Sequence, residues 1–156
     1  MNVSKDFEEL LAFFDARKVR ALVVGGYAFA FHAKPRYTKD LDILIDPSPE
    51  NVEKVLQALA DFGFEALNLT VEDLTTPGNI VQLGHPPGRV DLLTSLKGVH
   101  FEDAWQHRVQ GRYGSQIVSY IGLEDLIRNK EAVGRPQDRA DLSVLRRPTK
   151  TKRKPD

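Results

Sequence analysis

Apolar residues recur along the chain at two spacings, and the switches between them mark the elements. Phe7, Leu10, Leu11 and Phe14 fall at i, i+3, i+4 and i+7, which gathers them on one helical face. A helix is predicted over residues 5–17, with Ser4 as its N-cap. Residues 20–24 form a short run with paired valines that enters Gly25-Gly26. This reads as a buried strand meeting a tight turn where a side chain would be in the way. Residues 27–33 hold enough alanine for a short helix, which Pro35 ends. Over residues 39–45 the period becomes two: Leu41, Ile43 and Ile45 share one strand face, and Asp40, Asp42 and Leu44 the other, open one. Asp46-Pro47-Ser48-Pro49 breaks that strand. Ser48 caps the next helix and Pro49 opens it; its apolar face is Val52, Val55, Leu56 and Leu59, and it ends near Gly63.

The second half is read from shorter signals. A turn of helix is predicted over residues 71–74. The apolar runs 79–83 and 89–93 flank Gly84-His85-Pro86-Pro87-Gly88, a loop composition that predicts a hairpin. In the second run Val90 and Leu92 share one face, Asp91 and Leu93 the other. A helix over 101–106 precedes strands at 109–113 and 116–120, joined at Gly114-Ser115. Two helices follow, broken at Gly134-Arg135-Pro136, with apolar faces of Leu123, Leu126 and Ile127 and then Ala140, Val144 and Leu145. After Arg147, PTKTKRKPD has no apolar residue to bury and is expected to be a disordered basic tail. The fold class is therefore α+β, a mixed β-sheet flanked by helices with further helices at the C-terminal end. The expected organisation is one domain over 1–147 and the tail over 148–156.

Composition narrows the chemistry. The chain has 156 residues, 41% hydrophobic and 28% charged, the range of one globular domain with a sizeable core. Lys+Arg and Asp+Glu both number 22, so the net charge is zero and makes no bulk electrostatic case for nucleic acid or membrane. There is no cysteine, which excludes disulfides and thiolate metal sites and leaves His, Asp and Glu as strong metal ligands. The segment MNVSKDFEELLAFF is acidic where a signal peptide is basic. No apolar run approaches the roughly 18 residues of a membrane helix. A cytoplasmic protein with no membrane partner is expected.

Two carboxylates on a strand that otherwise wants burial need a reason. Asp40 and Asp42 lie about 7 Å apart along one strand face, twice the ~3.3 Å rise per residue, so both reach one cation or a pair. If Asp91 comes from a neighbouring strand on the same face, three anions converge and need a counter-charge. All their donors are oxygens, which fits a hard divalent cation, Mg2+ or Mn2+. Two such ions serve an in-line phosphoryl or nucleotidyl displacement. Gly25-Gly26, between a strand and a helix, adds backbone N–H groups that cradle phosphate oxygens. Taken singly, Asp-X-Asp is most often a solvated strand end and Gly-Gly a plain turn; the joint arrangement carries the reading. His32, His85, His100 and His107 show no ligand spacing to one another.

The set Gly25-Gly26, RYTKDLDILID and the later Val-Asp-Leu-Leu strand resembles the nucleotidyltransferase superfamily with the polymerase-β-like minimal fold. The Arg-X-Thr-X-Asp-hydrophobic-Asp loop, together with NKEAVGRPQDRADL, is similar to small bacterial and archaeal members that include toxin relatives of the AbiEii type. The resemblance spans residues 19–145. Gly25-Gly26 departs from the Gly-Ser of many members, which removes a hydroxyl that touches phosphate.

The resemblance implies that Asp40 and Asp42 bind metal ions holding a nucleoside triphosphate, and that Asp91 shares a metal and helps activate an acceptor hydroxyl. Gly25 and Gly26 would take phosphate oxygens. Arg36 and Thr38 would contact phosphate or brace the loop, Arg36 alternatively pairing with Asp40. Lys130 would reach back to a phosphate or cover apolar surface with its stem. Arg135, Asp138 and Asp141 are expected to form a structural ion-pair network. The function implied is transfer of a nucleoside monophosphate to a hydroxyl of RNA, protein or a small molecule. The alternative is a non-catalytic module that binds nucleotide or protein, such as a toxin–antitoxin component with a cognate protein partner.

Overall fold

In this computed structural model, which describes residues 4–64, 68–84 and 88–147, six short strands share one mixed sheet. They are β1 (Ala21–Val24), β2 (Leu41–Ile45), β3 (Ile80–Leu83), β4 (Val90–Leu93), β5 (Val109–Tyr113) and β6 (Gln116–Tyr120), in the spatial order β3-β4-β2-β1-β6-β5. The described helices are α1 (Lys5–Ala16), α2 (Gly25–His32), α3 (Pro49–Phe62), α4 (Val71–Thr75), α5 (Phe101–Gln106), α6 (Leu123–Val133) and α7 (Pro136–Leu145). This is the mixed α+β architecture expected from the sequence.

Register decides which side chains meet. β1 and β2 run antiparallel with Val24 opposite Asp42, while β2 and β4 run parallel with Asp42 beside Asp91 and Ile43 beside Leu92. Paired residues point to the same side of a sheet. One face therefore carries Val23, Ile43 and Leu92, all buried, and the other carries Leu22, Val24, Asp42, Leu44 and Asp91. This second face is not open along its length, as the alternation predicted. Leu22 and Leu44 on it are also buried, and it reaches solvent at the Asp42 end and at Ile80 on the edge strand β3.

The amphipathic stripe of α1 is buried as predicted, through Phe7, Leu10, Leu11 and Phe14. Ser4 Oγ accepts the Phe7 N–H at 3.3 Å, capping the helix. The Ser4 N–H donates to the Tyr113 hydroxyl at 2.8 Å and the Ser115 N–H to a Glu8 carboxylate oxygen at 2.7 Å, fastening α1 to the β5–β6 hairpin. The Phe7 ring meets Tyr27 edge-on at 6.1 Å and Tyr113 at 6.5 Å. In α3, Ser48 caps, Pro49 opens, and the buried Asn51 joins two strand ends. Its Oδ1 accepts the Arg20 N–H at 2.8 Å and its amide donates to the Asp46 carbonyl at 2.8 Å.

Three boundaries differ from expectation. Helix α2 starts at Gly25 itself, with extended Val24 in the cap position. Strand β2 starts at Leu41, leaving Asp40 in the bend before it. In α7 the inward face is Asp138, Asp141, Leu142 and Leu145, whereas Ala140 is exposed; the helix packs through charged contacts that apolar periodicity does not register. No described helix is long and apolar enough to cross a membrane. His85 and the predicted disordered tail over 148–156 lie outside the described residues.

Candidate active site

The end of β1, the start of α2 and the starts of β2 and β4 converge on a cleft of about 360 Å³, lined by Val24, Gly25, Asp42, Asp91, Lys130 and Arg135 among others. Gly25 makes the convergence possible. Its φ of +67° belongs to the left-handed region, and a Cβ there would lie 2.3 Å from Asp42 Oδ2. A Cβ on Gly26 would lie 2.8 Å from the Thr38 methyl. The glycine pair thus lets the α2 N-terminus press against the carboxylate strand. Among the described residues no side chain caps that terminus, so its first N–H groups keep their donor capacity near Asp42 and the cleft.

The parallel register places four charged groups in a small square. Asp42 lies beside Asp91, and the Leu41 N–H donates to the Arg89 carbonyl at 3.0 Å, which brings Arg89 beside Asp40. The Arg89 guanidinium spans two carboxylates: Nε is 2.9 Å from Asp91 Oδ1, and Nη2 is 2.9 Å from Asp40 Oδ2 and 3.3 Å from Asp91 Oδ2. Asp40 therefore pairs with Arg89, not with Arg36. Asp40 Oδ1 is buried without a hydrogen-bond partner among the described residues. Burial, followed by repulsion from Asp91 and Asp40, pushes the Asp42 carboxyl up to about 6 against the pull of Arg89.

Among the described residues no three His, Asp or Glu side chains surround a common point as a metal ion requires. With Arg89 drawn in, Asp40 and Asp91 close on the guanidinium. The donor chemistry nonetheless fits a hard cation: three carboxylates face one guanidinium, one buried oxygen is orphaned, and Asp42 is destabilised as an anion.

The remaining predicted site residues belong to an adjacent network. Arg36 binds Asp141 through Nη2 at 2.5 Å and Nη1 at 3.2 Å, and stacks 3.9 Å from the Phe29 ring centroid. Thr38 Oγ1 donates to the Arg36 carbonyl at 3.2 Å, and the Thr38 carbonyl accepts from Tyr27 Oη at 3.1 Å. Both residues brace the loop before β2. Lys130 is buried, and its Nζ lies 2.8 Å from Asp141 Oδ2 and 3.4 Å from Asp138 Oδ1. Arg135 completes the group on Asp138 at 2.8 Å. Burial raises the Asp141 carboxyl, but hydrogen bonds from Arg36, Lys130 and Gln137 outweigh it and bring it down to about 2. Lys130 lines the cleft floor with Asp42 and Asp91, so the network forms one wall of the site.

Arg89 is the residue that sequence reasoning missed. Its signal was the i, i+2 spacing from Asp91, which puts both on one strand face. A second cavity, about 270 Å³ and lined by Phe14, Val23, Trp105 and Arg108, lies on the opposite sheet face and contains none of the three carboxylates.

A family model described as "Nucleotidyltransferase of unknown function (DUF6036)" matches residues 1–145. No curated protein matches the chain by sequence. Among solved structures, the chain resembles TM1012 of Thermotoga maritima, described as a candidate nucleotidyltransferase: 13% identity, 88% of each chain covered, TM-score 0.61. It also resembles the lincosamide antibiotic adenylyltransferase LnuA with lincomycin bound, at 17% identity over 93% of this chain and 98% of that one, TM-score 0.54. A third is ANT(2")-Ia in complex with adenylyl-2"-tobramycin, at 13% identity over 89% and 84%, TM-score 0.53. At these identities the structural likeness is one of fold.

Proposed function

The chain belongs to the DUF6036 family of nucleotidyltransferases, and from that premise we propose that it moves a nucleoside monophosphate from a nucleoside triphosphate to an acceptor hydroxyl in a metal-dependent reaction. The observation that carries this reading is the Asp42–Asp91 pair, set side by side at the base of the cleft against an uncapped helix N-terminus. Asp40, Asp42 and Asp91 would hold Mg2+ or Mn2+, which when bound supplies charge neutralisation for the triphosphate and the leaving pyrophosphate.

The chain's own groups divide the remaining work. Gly25, Gly26 and the first turn of α2 offer N–H donors to phosphate oxygens. Lys130, held in place by Asp138 and Asp141, lends positive charge to the cleft wall. In the transfer, the acceptor oxygen forms a bond to the α-phosphorus while the bond from that phosphorus to the bridging oxygen breaks. Pyrophosphate leaves with that electron pair, and the hydroxyl proton passes to Asp91. Arg36 and Thr38 act by fixing the loop that delivers Asp40.

The acceptor is a hydroxyl of RNA, protein or a small molecule. The antibiotic adenylyltransferases of the same fold make a small-molecule hydroxyl the first class to test. Kinship to AbiEii-type toxins, and with it a cognate protein partner, rests on RYTKDLDILID and NKEAVGRPQDRADL alone. Incubation with each α-labelled triphosphate and cell extract should yield a labelled species that identifies the acceptor. Asp42→Asn should abolish labelling by at least about a hundredfold while circular dichroism stays native; labelling that persists in Asp42→Asn rules the reading out.

A further inference from the structure

Arg89 is the cation that the described residues bring into contact with the acidic cluster, and its placement follows from register. With Leu41 beside Val90 and Asp42 beside Asp91, Arg89 falls next to Asp40, on the side to which Asp42 and Asp91 also belong. Its fork then bridges Asp40 and Asp91 at 2.9 Å each, joining two carboxylates as a divalent ion would. The bridge is incomplete as a counter-charge. Among the described residues Asp42 receives no ion pair, Asp40 Oδ1 stays buried and unpartnered, and three carboxylates share one positive charge.

A metal ion and this guanidinium compete for the same oxygens. Both Asp91 oxygens and one of Asp40 are engaged by Arg89, and a dication on them would repel the guanidinium at close range. Arg89 sits at the rim of the cluster. Its side chain is 27% exposed, beside Gly88 at the start of β4, and among the described residues its ion pairs are those to the cluster. On leaving it needs a new anion, which a triphosphate at the cleft supplies in the fork geometry that guanidinium prefers.

We propose that Arg89 is the resident counter-cation of the acidic cluster, displaced when metal and triphosphate arrive together, and that its guanidinium then transfers to the triphosphate as a positioning residue. The proposal rests on the reading of Asp40, Asp42 and Asp91 as metal ligands. Arg89 weakens metal binding to the free protein and strengthens binding of the metal–triphosphate complex. Metal and triphosphate thereby become thermodynamically coupled, each raising the affinity of the other by the same factor.

The test measures two affinities of the full chain in wild type, Arg89→Gln and Asp42→Asn: that for Mn2+ alone, followed by the electron paramagnetic resonance of free Mn2+, and that for the preformed Mn2+–triphosphate complex, followed by equilibrium dialysis with labelled inorganic triphosphate. Arg89→Gln should bind Mn2+ alone about tenfold more tightly, and the Mn2+–triphosphate complex about tenfold less tightly, than wild type. Equal or weaker Mn2+ binding by Arg89→Gln overturns the counter-cation role, and unchanged binding of the complex overturns the transfer to phosphate. Should Mn2+ bind equally to wild type and Arg89→Gln yet be lost in Asp42→Asn, this inference fails and the metal-site reading stands. Mn2+ binding to none of the three, with or without triphosphate, overturns both. If Arg89→Gln does not fold, Arg89→Lys, which keeps the charge but loses the fork, is measured in its place and should shift both affinities in the same directions by smaller factors.

Discussion

Asp42 is where site and stability pull against each other. Its carboxyl is pushed up to about 6 from an ordinary 3.8 by burial and by the neighbouring carboxylates. A raised folded-state value means that the folded protein binds the proton more tightly than the unfolded chain. Asp42 then favours folding below about pH 4, and that contribution is lost as pH rises through about 6. Asp42→Asn should therefore leave stability near pH 4 unchanged and raise it by about 1 to 2 kcal/mol at pH 7.5, after discounting for partial exposure. Urea melts at both pH values measure this; equal shifts at the two would remove Asp42 as the source. Gly25 is constrained twice, by its positive φ and by the 2.3 Å approach to Asp42 Oδ2. Gly25→Ala should cost about 1 to 3 kcal/mol and weaken binding of labelled triphosphate in equilibrium dialysis.

At the scale of elements, α6 and α7 are joined by charge, while Leu126 and Leu145 belong to the apolar core. Lys130, Asp138 and Asp141 are buried and mutually paired, and Arg36 extends the pairing to the loop before β2. Removing one member strands the others without compensation. Lys130→Met is expected to destabilise by about 3 kcal/mol, read as a lower urea midpoint with an unchanged slope. The depressed Asp141 carboxyl sets an acid limit. Its stabilisation is complete above about pH 4 and is lost as pH falls through about 2. Asp141→Asn should remove about 2 kcal/mol of the acid-dependent part of stability and flatten the pH profile between 4 and 2. Apolar periodicity located both helices because their ends are marked by Gly134, Arg135 and Pro136. It put Ala140 on the inner face because a helix that buries carboxylates looks polar to such a reading.

Across the whole molecule the sheet separates two tasks. One face carries the buried Val23, Ile43 and Leu92, and the other opens to the cleft at Asp42 and Asp91. The N-terminal helix contributes to the core through Phe7, which meets Tyr27 and Tyr113 from distant parts of the chain. Phe7→Ala should cost about 3 kcal/mol or more, read as a lower urea midpoint with an unchanged slope.

Local chemistry was legible in the sequence. The stripe of α1, the caps Ser4 and Ser48, the β5–β6 hairpin and the alternation in β2 and β4 follow from side-chain spacing and turn residues, which act over a few positions. Spacing also said that Asp40, Asp42 and Asp91 lie on strand faces of their own kind. It did not say which neighbours they meet, because periodicity fixes a face and leaves register free. A two-residue slip of β4 against β2 keeps every face yet sets Asp42 beside Arg89 instead of Asp91. The parallel pairing of Asp42 with Asp91 leaves Asp42 without an ion pair among the described residues and gives Arg89 to Asp40. The same holds for Lys130 and Arg36, whose common partner Asp141 lies 11 and 105 residues away. Charge at such separations is paired by the packing of the whole chain, and there the tertiary structure alone decided.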